Sequence, residues 1–143
     1  MLFEKILLPI DVNDSLSWKK TLPTAISIMQ SNPNSQLWIL SVIPNFGMNI
    51  VESYFPKGWT KEINSKTKEA LDKIVKEYVP ENIVPNIIVG RGVVYQVILE
   101  NASQLEIDLI VMSASNQGSK EYLLGPNVAR VSRHADVSVL IKR

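Results

Sequence analysis

The sequence contains no cysteine and a single histidine, His134. The first absence excludes disulfides, thiolate nucleophiles and Cys-ligated metals, and the second excludes a His-rich metal site. Excess charge of either sign is missing too. Fifteen Lys and Arg against 14 Asp and Glu leave a net charge of +1, too small a field to draw the chain to nucleic acid or to an anionic membrane. No run approaches the roughly 20 apolar residues of a membrane span. The opening ten residues carry Glu4 and Lys5 and break at Pro9, unlike the apolar region of a secretory signal. A soluble, cytoplasmic protein is the expectation, and the N-x-S/T sequons at Asn13 and Asn101 then have no consequence.

Phosphate-binding glycine motifs are lacking as well. None of the 6 glycines belongs to a G-x-x-x-x-G-K-[ST] loop, and Gly90-Arg91-Gly92-Val93-Val94-Tyr95 lacks the third glycine of a dinucleotide fingerprint. Gly90 and Gly92 read instead as the turn into a helix. His134, near the end of the last helical segment, reads as a surface group that favours the negative helix terminus when protonated. Trp18, Trp38 and Trp59 do not cluster in sequence and read as packing residues, with Trp59 alone placed in a loop within reach of a ligand.

What is present is a regular alternation. Short runs rich in Ile, Leu and Val occur at 6–10, 37–43, 84–89, 109–112 and 137–141. They are apolar on both faces, as strands of a parallel sheet covered by helices on both sides must be. Between them lie four stripes at helical spacing. The first runs through Trp18, Leu22, Ala25, Ile26 and Met29, and the second through Ile63, Ala70, Leu71, Ile74 and Tyr78. Val94, Val97, Ile98, Ala102 and Leu105 form the third, and Leu124, Val128, Val131 and Ala135 the fourth. The order βαβαβαβαβ predicts an α/β fold, a doubly wound, open, parallel five-stranded sheet of the Rossmann-like kind. At 143 residues the chain has the length of one ordinary domain, and 1–143 is read as one. Pro23 should kink the first helix or restart it there. The stretch 44–59, marked by Pro44, Gly47, Pro56 and Gly58, reads as one long loop.

Ligands of such sheets bind beyond the carboxyl ends of the strands, where neighbouring connections leave to opposite faces. After the first strand comes Pro9-Ile10-Asp11-Val12-Asn13-Asp14-Ser15. Asp11 is placed there to accept hydrogen bonds from a ligand, and Asp14 or Ser15 to cap the next helix. The fourth strand leads into Met112-Ser113-Ala114-Ser115-Asn116 and on to Gly118-Ser119-Lys120, a small, hydroxyl-bearing turn. With the helix start near Gly125-Pro126-Asn127-Val128 behind it, its backbone N–H groups suit an anion without a basic side chain. A polar surface loop is the alternative on composition alone. A phospho-acceptor domain of similar fold needs an acidic cluster after the first strand, an aspartate after the third and a lysine after the last; Asp11 and Asp14 meet the first need only superficially, no aspartate follows the 84–89 run and the sequence stops at Lys142-Arg143, so that reading is not the expectation.

Four blocks in order carry a family resemblance. They are Lys5-Ile-Leu-Leu-Pro-Ile-Asp11, the strand ending Leu40-Ser41-Val42, Ile107-Asp-Leu-Ile-Val-Met-Ser113, and Leu123-Leu-Gly-Pro-Asn-Val-Ala-Arg-Val-Ser-Arg-His-Ala135 with Val137-Ser-Val-Leu-Ile141. Together they resemble the universal stress protein family across essentially the whole chain. The resemblance implies strand order 3-2-1-4-5 and a homodimer joined through the last strand, 137–141. In the family's nucleotide-binding branch it implies that Asp11 and Val42 hold the adenosine part, flanked by Pro9, Val12 and Met112.

The family's phosphate motif is Gly-x-x-Gly, a spacer, then Gly followed by Ser or Thr. Here Ser113-Ala114-Ser115-Asn116 and Gly125-Pro126 stand in its place, with both early glycines replaced and the spacer one residue shorter. Side chains at Ser113 and Asn116 limit close backbone approach, and Pro126 supplies no donor. The pattern resembles a variant branch in which Ser115, Asn127 and the start of the helix at Val128 supply compensating contacts. The expected ligand is ATP or another adenine nucleotide, with no structural metal. Nothing marks a general base or a magnesium pair, so turnover is expected to be slow or absent. A ligand-free dimeric interaction module and a weak nucleotide hydrolase remain the alternatives.

Overall fold

The computed structural model describes residues 3–44, 58–114 and 124–143. Five parallel strands form one sheet: β1 (Lys5–Pro9), β2 (Gln36–Pro44), β3 (Asn86–Gly92), β4 (Leu109–Ser113) and β5 (Ser138–Lys142). Their order across the sheet is β3-β2-β1-β4-β5, as the family pattern implies. Among the described residues, four α-helices lie between them: α1 (Thr21–Gln30), α2 (Trp59–Tyr78), α3 (Val94–Gln104) and α4 (Pro126–His134).

The period of two along each strand divides the core into two layers. Ile6, Leu8, Leu37, Ile39, Leu109 and Val111 pack beneath α1 and α2, with Leu22, Ala25, Ile26, Leu71 and Ile74 from the helices. Leu7, Leu40, Ile110 and Met112 pack on the other face against Val97, Ile98 and Ala102 of α3 and Val128 and Val131 of α4. Register places Leu7 opposite both Trp38 and Ile110, so the central strand is apolar on each side. Each fully buried Leu, Ile or Val contributes about 1.5–3 kcal/mol, and this central layer is where most of them lie.

Two polar anchors fix the lower end of the sheet. The Asp108 carboxylate accepts the backbone N–H of Glu4 at 3.0 Å and of Lys5 at 3.2 Å, tying the start of β1 to β4. Asn32, buried at the end of α1, donates to the Phe3 carbonyl at 3.0 Å and accepts from the Asn34 N–H at 3.1 Å.

Several element boundaries depart from the periodicity. β3 occupies Asn86–Gly92 and not 84–89, and Val84 is 86% exposed. The apolar run there misled because its first residue lies before the pairing with β2 begins at Trp38 and Asn86. Gly90 therefore lies inside the strand, while Gly92, at φ 137°, makes the turn. Trp18 lies outside α1. It follows a short 3₁₀ turn at Ser15–Ser17 and packs edge-on to Tyr78 at 4.7 Å. Pro23 does not kink the helix, which begins at Thr21, because in the first turn the missing N–H had no intrahelical partner to lose. Trp59 is the first residue of α2, entered through Gly58 at φ 85°, and the Arg91 guanidinium lies 4.9 Å from its ring. Leu124 and Ala135 flank α4 and are not part of it. Proline at the first position of α4 fits the helix start, and Arg133 and exposed His134 sit in its last turn, where positive charge complements the helix dipole.

Candidate functional site

The connections from β1 and from β4 run on opposite faces of the sheet, α1 on one and α4 on the other, so the chain parts above the carboxyl ends of these adjacent strands. A cleft of about 370 Å³ opens there, within the range of roughly 300–1,000 Å³ typical of small-molecule sites. Its walls come from the ends of β1, β2 and β4 and from α2, α3 and α4.

Beyond β1 the chain is held by a compact hydrogen-bonded turn. The Ile10 N–H donates to the Leu40 carbonyl at 2.8 Å, continuing the sheet for one residue. The Asp14 N–H donates to the Asp11 carbonyl at 3.0 Å, and one Asp11 carboxylate oxygen accepts the Asn13 N–H at 2.9 Å. The Ser17 hydroxyl closes the turn from below. It accepts the Asp11 N–H at 2.9 Å and reaches the Asp14 carbonyl at 2.7 Å and the Asp11 carbonyl at 3.0 Å. Asp14 caps the 3₁₀ turn by accepting the Leu16 N–H at 3.0 Å. The result is an exposed Asp11 carboxylate at the cleft's edge on a rigid backbone.

Of the residues singled out by sequence, the fold brings Pro9, Asp11, Val12, Val42, Met112, Ser113, Asn127 and Val128 to the lining of this one cleft. Ser115 and Asn116 fall outside the described residues. Gly125 and Pro126 do not line it: the Gly125 N–H is used by the Ala114 carbonyl at 3.0 Å, and Pro126 is exposed. The cleft is therefore met one step further along the chain, at Asn127 and Val128. Asn127 and Val128 occupy the first turn of α4, where N–H groups have no carbonyl within the helix to bond and the helix dipole favours negative charge.

Sequence reasoning did not single out Ser17, Ser41, Thr67, Ile63, Val94 or Ile98, all of which line the cleft. One signal was present for Ser41, a lone hydroxyl in the otherwise apolar run of β2. The described lining contains one charged side chain, Asp11, and no cation. Most of the rest is apolar: Ile10, Leu40, Val42, Ile43, Met112 and Val128 among others. Such a cleft suits a flat, weakly polar body with a few fixed hydrogen bonds, and it leaves anion binding to backbone groups. Among the described residues no group of three or more His, Asp or Glu stands together to hold a metal ion, and no helix is long and apolar enough to cross a membrane.

These features define a doubly wound α/β protein with a ligand-sized cleft at its topological switch point. Residues 2–143 match the family model described as universal stress protein family. The chain belongs to that family. It is 23% identical over 146 residues to universal stress protein G of Shigella flexneri, an alignment covering 99% of this chain and all of the relative. Among solved structures it superposes on a universal stress protein in complex with cAMP with a TM-score of 0.65 and 21% identity, covering 100% of this chain and 98% of the other. A universal stress protein family protein from Arabidopsis thaliana with AMP bound gives a TM-score of 0.68 at 17% identity, covering 96% of this chain and 90% of that one.

Proposed function

We propose that this protein binds an adenine nucleotide in the switch-point cleft and acts as a homodimeric sensor in a cytoplasmic stress response. The observation that carries the reading is the order of groups along the top of the sheet. The open first turn of α4 lies on the β4 side, Asp11 stands at the end of β1, and Val42 lines the cleft at the end of β2. A nucleotide has the same order of chemistry. Its phosphates meet the Asn127 and Val128 backbone and the Ser113 hydroxyl, its ribose hydroxyls donate to Asp11, and its base lies against Val42, Leu40 and the apolar wall. The fit is to the ligand's nucleoside part above all, because the described walls offer no cation to a phosphate chain. The related proteins with AMP or cAMP bound support the ligand class.

The proposed dimer forms through β5, which has β4 on one side and no neighbouring strand of the described chain on the other. Val139, Leu140 and Ile141 there are only half-buried, an apolar edge suited to a second copy.

Calorimetric titration of nucleotide-stripped protein with ATP, ADP and AMP tests the ligand. Saturable binding is expected, and Asp11→Ala should weaken it by about tenfold or more, the scale of lost hydrogen bonds to a charged acceptor. Light scattering reads the dimer. A second reading, a dimeric interaction module without a ligand, is favoured by one feature, the side chains of Ser113 and Asn116 where the family motif has glycine. A folded dimer that binds no nucleotide at millimolar concentration would establish it.

A further inference from the structure

We infer that a second cavity, at the amino ends of β2 and β3, binds a small neutral sugar through carboxamide side chains. It lies at the opposite end of the sheet from the switch-point cleft, and the inference does not depend on the nucleotide reading.

The cavity has a volume of about 570 Å³, inside the range typical of small-molecule sites. One wall is the end of α1 with the turn into β2, and the other is the connection from α2 to β3. Five carboxamides line it. Gln30, Asn32 and Gln36 come from the first wall, and Asn82 and Asn86 from the second. Asn86 opens β3 and pairs in register with Trp38 of β2, so the sheet itself joins the two walls. Asn32 is buried and serves the fold through its bonds to Phe3 and Asn34. The Ser35 hydroxyl, also in the lining, donates to the Asn32 carbonyl at 2.7 Å, and the Gln36 N–H to the Glu4 carbonyl at 2.7 Å. On the second wall the Ile83 N–H closes a turn on the Pro80 carbonyl at 3.0 Å. Both walls are therefore preorganised, which lowers the cost of binding. Gln30, Gln36, Asn82 and Asn86 are exposed, so their carboxamides are open to a ligand.

The charge pattern selects the ligand class. Charged residues make up 20% of the chain, yet the lining holds no Asp, Glu, Lys, Arg or His. A phosphate, carboxylate or ammonium group entering it would lose hydration and meet no counter-charge, and an apolar ligand would strand the carboxamides. Each carboxamide sets an acceptor beside two donors. That arrangement matches neighbouring hydroxyls of a sugar ring, each of which both donates and accepts. Met29, Leu37, Ile83 and Val84 supply an aliphatic surface for the C–H face of the same ring. Val84, 86% exposed, is the apolar surface that a seated ring covers.

The experiment follows the side-chain NH₂ resonances of Asn and Gln in isotope-labelled protein by NMR during titration with glucose and maltose. Glucosamine and glucuronate, which place a positive or a negative charge on the same ring, are the comparison. The sugars are taken to on the order of 100 mM, above the millimolar dissociation constant that a few exposed hydrogen bonds give. Saturable shifts are expected for Gln30, Gln36, Asn82 and Asn86, with the charged rings weaker by about fivefold or more. The double variant Asn82→Ala with Asn86→Ala should weaken neutral sugar by about tenfold or more, the worth of two hydrogen bonds. Its thermal melt should match the unaltered protein, since both positions are exposed. Absence of saturation with both neutral sugars, equal or tighter binding of a charged ring, or unchanged binding in the double variant overturns the inference. A tighter response to N-acetylglycinamide, a neutral peptide-bond analogue, also overturns it and assigns the cavity to a peptide.

Discussion

Gly90 is the position where a single methyl group tests the packing of the fold most directly. It lies in β3 facing α3, and a Cβ built there would stand 2.7 Å from Val97 Cγ1 and 3.5 Å from Leu40 Cδ1. The first distance is far inside van der Waals contact. Val97 cannot swing aside, because a β-branched residue in a helix has essentially one χ1 rotamer and this one is 8% exposed within the core. Gly90→Ala must therefore push α3 away from the sheet, a small-to-large change of the kind that destabilises by about 1–3 kcal/mol. For a chain of this size that is a fall in Tm of roughly 3 to 10 °C.

Urea and thermal denaturation measure the effect, with two controls. Gly125→Ala meets nothing within 4 Å and has an ordinary φ of −62°, so it should cost only the N-cap preference for glycine over alanine, about 1 kcal/mol or less. Adding Val97→Ala to Gly90→Ala should relieve the clash, making the double variant less destabilised than the sum of the two singles. Since α3 also carries Val94 and Ile98 of the cleft, nucleotide affinity should fall with Gly90→Ala and recover in part in the double variant. Wild-type stability in Gly90→Ala, or strict additivity in the double variant, would refute the argument from close approach.

Two further substitutions separate the ends of the sheet. Ser17→Ala leaves the Asp11 N–H without its acceptor and frees the turn that carries the Asp11 carboxylate. It should lower stability by about 1–2 kcal/mol and also weaken nucleotide binding, read by denaturation and calorimetry on the same sample. Asn32→Ala removes the bonds to Phe3 and Asn34 at the opposite end. It should lower stability by about 1–3 kcal/mol and leave nucleotide affinity unchanged.

The strands were legible in the sequence wherever burial on both faces left an unbroken apolar run. Central β1 and β4 are the clearest cases, since each is sandwiched between two helical layers. The reading slipped at β3, an edge strand, because Val84 is apolar without being paired and Gly90 is paired without being apolar. The same limit governs the site. Asp11 and Ser113 were readable because a parallel sheet gathers its strand ends in one place, and Val42 and Asn127 because the family resemblance marks them. Ser17, Ser41 and Thr67 were not, because a hydroxyl in a turn, a strand or a helix has no pattern of its own. The sequence by itself determined the alternation of strand and helix, the family and the strand ends where chemistry gathers. Only the tertiary structure decided that α2 brings Thr67 to the same cleft as Ser41, that the first turn of α4 and not Gly125 lines the cleft, and that Gly90 admits no side chain. The physical reason is that periodicity records which face of each element is buried, whereas these properties depend on which two elements meet and how closely.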